Sequence, residues 1–311
     1  MIALTLRLEA LASLAESPPR SENDLNAASL DSALIEHRSL DEIAAEHYAW
    51  FTHELMPAAS AFLDEEGLLG GSVSQRMRRW MAEAGYEPDL RSVSPDHLAV
   101  ELRLIAHMLQ TDQVKALSSL LRMHTMGWVP LLTHALSTQG PDLVSAFGMA
   151  VASTLKEVVQ ITSGVDGSDQ APEFPFELAP AGFDLDDPRV SLAEIGRFLA
   201  VPARSGLVLT HAFVAKAARE SHLPTGFGTR SRQIEGWLRS AGQYDGLLAV
   251  GEVLSGAIDD VDQMWTLEEK GAGTSWAQQW RTRLGLTRSI VDSIQSVGLN
   301  ETPIHPDDPT S

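Results

Sequence analysis

Apolar residues recur along most of this chain at intervals of three and four, the spacing that puts them on one face of an α-helix. The stretch "SPDHLAVELRLIAHML", Ser94 to Leu109, shows the pattern well, because Leu98, Leu102, Ile105 and Leu109 form one stripe. Ser94 suits the N-cap of that helix and Pro95 its first helical position. Upstream, Ser39 and Glu42 have the spacing of a capping box, and "IAAEHYAWFTHEL" continues the helix until Pro57 interrupts it. "SAFLDEEGLLGG" reads as a connector anchored by Phe62 and Leu63, with backbone freedom at Gly70 and Gly71. "SVSQRMRRWMAEAGYEPD" reads as a helix closed by Gly85, with Met77, Trp80 and Met81 on one face. Further helices are expected over 112–125, 128–138 and 142–162.

The periodicity stops from Ser163 to Pro188, where Pro, Gly and Asp accumulate. It resumes at Ser191, which forms a second capping-box pattern with Glu194. The first residues end in "ESPPRSEND" and read as a loose tail, as does "LNETPIHPDDPTS" at the other end. The expectation is an all-α protein in five parts: a flexible tail over 1–25, a helical domain over 26–163, an acidic linker over 164–190, a helical block over 191–299 and a disordered tail over 300–311. No repeat at a fixed period is present.

Composition narrows what such a protein does. A formal charge of −19 argues against a nucleic-acid partner, which needs a basic face, and suits solubility or the attraction of a basic peptide. The absence of cysteine removes disulfides, thiolate zinc sites, Fe–S ligation and a thiol nucleophile, and suits a reducing cytoplasm. The opening "MIALTLRLEALASLAES" has no basic start and is broken by Arg7 and Glu9, unlike a secretory signal. No uninterrupted apolar run approaches the ~18 residues of a membrane span, so no stable membrane insertion is expected. Aromatics make up only 6% of the chain, so each Trp is worth following.

Few motifs carry chemistry. His97 and Glu101 share a helix face, and His107, His124 and His134 are further imidazoles, but neither HExxH nor paired ExxH helices occur. "GGSVS" lacks the nucleophile elbow, "LPTGFGTRSR" lacks the Lys-Ser/Thr of a phosphate loop, and "DGSD" at 166–169 lacks the length of a calcium loop. Arg78-Arg79 is internal on an amphipathic helix, unlike a twin-arginine export signal. Asp96-His97 stands out at a helix start. An acid there is favoured by the helix dipole, while an imidazolium is not, unless it is neutral or paired with Asp96 or Glu101. The pair is either helix-start scaffolding or a polar doublet that receives a peptide or an anion.

"FLDEEGLLGGSVSQRMRRWMAEAGYEPDLRSVSPDHLAVELRLIAHML" followed by "LLRMHTMGWVPLL" resembles the TorD/DmsD family of cytoplasmic, all-helical chaperones for molybdenum oxidoreductases. The likeness runs from about Tyr48 to Leu155 and rests on order and spacing: Ser60, "FLD" at 62–64, Gly71, "WM" at 80–81, Gly85, the Asp-His pair with a Pro before it, and His124 followed by Trp128. Where the family has Glu-Pro-x-Asp-His, this chain reads Val93, Ser94, Pro95, Asp96 and His97. The resemblance implies a non-enzymatic protein. It would bind the twin-arginine signal peptide of a molybdopterin oxidoreductase catalytic subunit and hold it during cofactor insertion, before export. It implies no resident cofactor and leaves open transient contact with molybdopterin or a nucleotide, and a monomer or a domain-swapped homodimer. By the same resemblance Asp96, His97, Gly71, Trp80, His124, Trp128, Ser60 and Phe62 contact or border the peptide, and Glu101 adds a carboxylate for its arginines. Met77, Trp80, Met81, Met123, Met126 and Trp128 are candidates for apolar groove surface. Longer relatives share the segment from Arg197 to Leu207, to which the resemblance assigns no role. Two other readings stand beside this one: a metal-dependent hydrolase using His97 and Glu101, and an adaptor that binds a folded partner through 191–299.

Overall fold

The structure, a computed structural model, describes residues 1–91, 93–164, 191–268 and 274–300. All regular structure among them is helical. The first part holds α1 (Ile2–Glu16), α2 (Glu22–Ala27), α3 (Leu40–Tyr48), α4 (Ala59–Leu63), α5 (Gly71–Ala84), α6 (Leu98–Gln110), α7 (Val114–Met123), α8 (Val129–Gln139) and α9 (Asp142–Thr162). The second holds α10 (Leu192–Leu199), α11 (Pro202–Ser205), α12 (His211–Glu220), α13 (Arg230–Gln243), α14 (Leu247–Glu268) and α15 (Thr274–Asn300). The acidic linker expected over 164–190 and the tail over 300–311 fall almost wholly outside the described residues.

Local chemistry accounts for most helix ends. The Ser39 hydroxyl accepts from Glu42 N at 3.2 Å, while the Glu42 carboxylate accepts from Ser39 N at 2.8 Å. Ser191 and Glu194 repeat the arrangement at α10. Gly85 closes α5 with φ +66°, a conformation that costs a glycine little.

The expected N-terminal tail is instead part of the core. Leu4, Leu8, Leu11 and Ala15 are buried on one face of α1, which packs along α6. Arg103 of α6 reaches Glu16 at 2.6 Å, and Arg7 pairs with Glu157 of α9. The polar "ESPPRSEND" that suggested a tail is a short turn between two docked helices.

A second correction concerns the start of α6. The N-cap is His97 and not Ser94, and Ser94 and Pro95 lie in the turn before it.

Helix α9 is long and apolar enough to span a bilayer by length and composition alone. In the fold, Phe147, Val151, Leu155 and Val158 bury its apolar stripe against the rest of the protein.

The two parts share one hydrophobic core, which runs from Leu4 to Ile294. The join is specific. Gln139 of α8 donates to Val208 O and accepts from the Thr210 hydroxyl, both at 2.8 Å. Glu54 accepts from Ala212 N at 3.0 Å. The Arg197–Leu207 segment, without a role in the sequence, is a docking turn. Its α11 lies between α4 and α15, where buried Arg283 donates to Ala203 O at 2.6 Å and Thr287 to Ser205 O at 2.7 Å.

Candidate functional site

The segment from Pro57 to Leu63 and the turn before α6 run side by side. Ala59 N donates to Asp96 O at 2.9 Å and Leu98 N to Pro57 O at 2.7 Å, which makes a short antiparallel bridge between Ala58 and His97. This bridge separates the two members of the Asp-His doublet and gives them different tasks.

Asp96 is wholly buried and turns toward α4 and α5. One carboxylate oxygen accepts from Ser60 N at 2.8 Å, and the other accepts from the Ser74 hydroxyl. Ser60 in turn accepts from Gly70 N at 3.0 Å, so one carboxylate ties together the start of α4, the body of α5 and the loop between them. Burial opposes its ionisation most strongly, but the hydrogen bonds from Ser60 and Ser74 outweigh it and hold the carboxyl below its ordinary value.

His97 turns the other way. Its Nδ1 accepts from Ala99 N at 3.2 Å and caps α6. Burial pushes its pKa down to about 4, against the pull of Glu16 and Asp96, so the imidazole is neutral at neutral pH. That meets the condition for a histidine at a helix N-terminus.

One turn along α6, Glu101 is also enclosed. Its Oε2 accepts from the Trp128 indole at 3.1 Å and lies 3.5 Å from His124 Nε2. Trp128 stacks at a tilt on Phe62, with ring centroids 5.5 Å apart. Glu101 Oε1, both His124 ring nitrogens and Thr125 Oγ1 have no hydrogen-bond partner among the described residues. The turn from Arg122 to Trp128 is clamped from outside by α15. Trp276 donates to Arg122 O at 2.6 Å and Trp280 to Gly127 O at 2.8 Å. A Cβ on Gly127 would sit 2.7 Å from the Trp276 ring, which explains glycine there.

The structure therefore brings Ser60, Phe62, Asp96, His97, Glu101, His124 and Trp128 together, but inside the protein. From these buried positions they help fix α4 to α8 relative to one another. Of the remaining candidates, Gly71 is exposed with φ +62°, and Trp80 is half-buried against the core. Met77 and Met81 are core residues, Met123 is half-buried, and Met126 borders an open cavity. Among the described residues, no group of three or more His, Asp or Glu could hold a metal, and His97 and Glu101 serve different partners.

Sequence reading missed Ser74, the second anchor of Asp96, and the clamp by Trp276 and Trp280. The spacing of "SWAQQW", two indoles four residues apart on a helix, was the available signal for the clamp. It also missed the open surface. Two cavities lie along α8, one of about 430 Å³ between α8, α9 and α14, and one of about 270 Å³ between α8, α12 and α14, with His134 lining both.

No curated protein and no solved structure gives a significant match to the chain. A family model does match. Residues 18–134 fit the model described as nitrate reductase delta subunit, a span that takes in α2 to α8 with the Asp96 and Glu101 clusters. Over that span, a little over a third of its length, the chain is similar to the nitrate reductase delta subunit family.

Proposed function

We propose that this protein is a cytoplasmic chaperone that binds the twin-arginine signal peptide of a molybdopterin oxidoreductase and holds the apoenzyme while its cofactor is inserted, before export. The family match over residues 18–134 carries the reading. Three further features support it. The acidic chain suits a cationic leader, with a formal charge of −19. The motif residues form a mostly hydrogen-bonded frame that sets α4 to α8 relative to one another. Open apolar cavities flank α8 on the surface that this frame positions. The protein does no covalent chemistry in this account; it binds, shields and releases. The client is the catalytic subunit, and the protein needs no resident cofactor for that task.

The test is calorimetric titration of the intact protein with a client leader peptide. Saturable binding that is lost when both arginines are replaced by glutamine supports the reading. Absence of binding to the leaders of all molybdopterin oxidoreductases encoded in the same genome would reject it.

A further inference from the structure

The seven motif residues are buried, and the open surface lies instead in cavities along α8 and α14. The larger cavity is lined by Met126, Met149, Leu155, Val159, Met264 and Leu267. Met149 and Leu267 stand out of the fold at 57% and 67% exposure, although apolar side chains of that size are usually buried. Methionine is flexible and polarizable, and surfaces rich in it accept varied apolar segments. At one rim Lys156 of α9 faces Glu268 of α14 at 3.8 Å.

The smaller cavity continues past His134 of α8, along the same α14, and has a different character. Its charged lining is Glu220, Asp260 and Lys216, with His134 kept neutral by burial against the opposing pull of Asp260. Helix α14 carries Glu252, Asp259, Asp260, Asp262 and Glu268 and no Lys or Arg. Asp259 and Asp262 pair with Arg288 and Arg281 of α15, while Asp260 is exposed and borders the cavity. Asp260 and Met264 are one helical turn apart, about 6 Å along the axis, which about two extended peptide residues span.

We infer that this seam between α8, α9, α12 and α14 is the leader-binding site. The methionine-lined cavity takes the apolar stretch of the peptide, and Asp260 with Glu220 takes the guanidinium groups that precede it. The inference rests on the proposed function for the kind of ligand and adds the place. Charge complementarity selects the occupant, because a segment with adjacent arginines followed by an apolar run matches a cavity that carries Glu220 and Asp260 followed by one lined with methionine. The site lies mostly outside the family-matched segment. It needs α9, α12 and α14, so the second helical block becomes part of the receptor.

The probe is a fluorescently labelled synthetic peptide with two consecutive arginines followed by an apolar run, read by anisotropy on the full chain. Met149→Glu and Leu267→Glu each weaken binding by about tenfold or more, since a charge replaces an apolar contact. Asp260→Asn weakens it less and flattens its dependence on salt. Leu40→Glu, on the exposed start of α3, leaves it unchanged. In spectra of ¹³C-methyl methionine, the Met149 and Met264 signals shift on adding peptide while Met77 and Met81 stay in place. Wild-type affinity in both glutamate variants, with the Met149 and Met264 signals unmoved, overturns the site while leaving leader binding intact. An intact protein that ignores the peptide overturns both the site and the proposed function. A dimer that dissociates in Met149→Glu assigns the groove to a second copy of the chain and likewise overturns the site.

Discussion

The motif cluster around Asp96 and the seam along α14 differ in almost every physical respect. The first is closed, and its Asp96 arm is saturated, with each carboxylate oxygen hydrogen-bonded to a different helix. The second is open, lined with methionine at one end and carrying Glu220 and Asp260 at the other, and its Met149 and Leu267 face solvent. The cluster's side chains are turned into the core, while the seam presents Met149, Leu267 and Asp260 to solvent. The recognisable sequence pattern therefore falls on buried frame residues and not on the open cavities. Substitutions should sort accordingly into those that cost stability and those that cost binding.

The clamp from α15 gives the largest expected effect. Trp280→Ala empties a core site stacked on Trp265 and removes the bond to Gly127 O, so it should cost roughly 3–5 kcal/mol by denaturant unfolding. An unchanged midpoint would mean that the second block does not brace the Arg122–Trp128 turn. Asp96→Ala leaves Ser60 N and the Ser74 hydroxyl without their acceptor, for a loss of about 2–4 kcal/mol, with helicity retained in the far ultraviolet at low temperature. A stability change near zero would show that Asp96 is not the tie between α4 and α5.

Acid should act through His97. Its folded-state pKa of about 4 lies below the ordinary value of 6.5, so between those values the unfolded chain binds the proton and the native state does not. Stability is therefore full above pH 6.5 and falls on acidification toward pH 4, by on the order of 3 kcal/mol from this group. His97→Asn keeps a capping side chain and removes the titration, so its profile should be flatter over that window. An equally steep profile in the variant would move the acid sensitivity to His47 and His134, both also held low by burial.

Smaller effects sharpen the contrast. Gly71→Ala, at φ +62° where an added Cβ would meet only Asp64 Oδ2 at 4.0 Å, should cost about 1 kcal/mol, chiefly through backbone strain. Leu267→Glu on the exposed face of the seam should change stability by no more than about 0.5 kcal/mol.

Much of this was legible from residues. Capping boxes at Ser39 and Ser191, the stop at Gly85 and the stripe of Leu98, Leu102, Ile105 and Leu109 gave the helices and their inward faces, because those signals are local. The Asp96-His97 doublet was recognisable as a site of special chemistry, and its scaffolding reading was open from the start. Sequence alone could not show which way each side chain turns, since that depends on the bridge between Ala58 and His97, whose members are far apart in the chain. Helix α1 was hidden by the polar turn that follows it, and its value lies in packing on α6, again a long-range fact. The α14 seam was hidden for the same reason: apart from Met126, its methionines and acids lie outside the motif segments, spread over α9, α12 and α14.

Hydrogen–deuterium exchange of the full chain, with and without a client leader peptide, tests the central claim most directly because it reads both regions at once. The account predicts added protection over 149–160 and 257–268, with no change over 59–63 and 94–101. Protection confined to 59–63 and 94–101, with 149–160 and 257–268 unaffected, would contradict it.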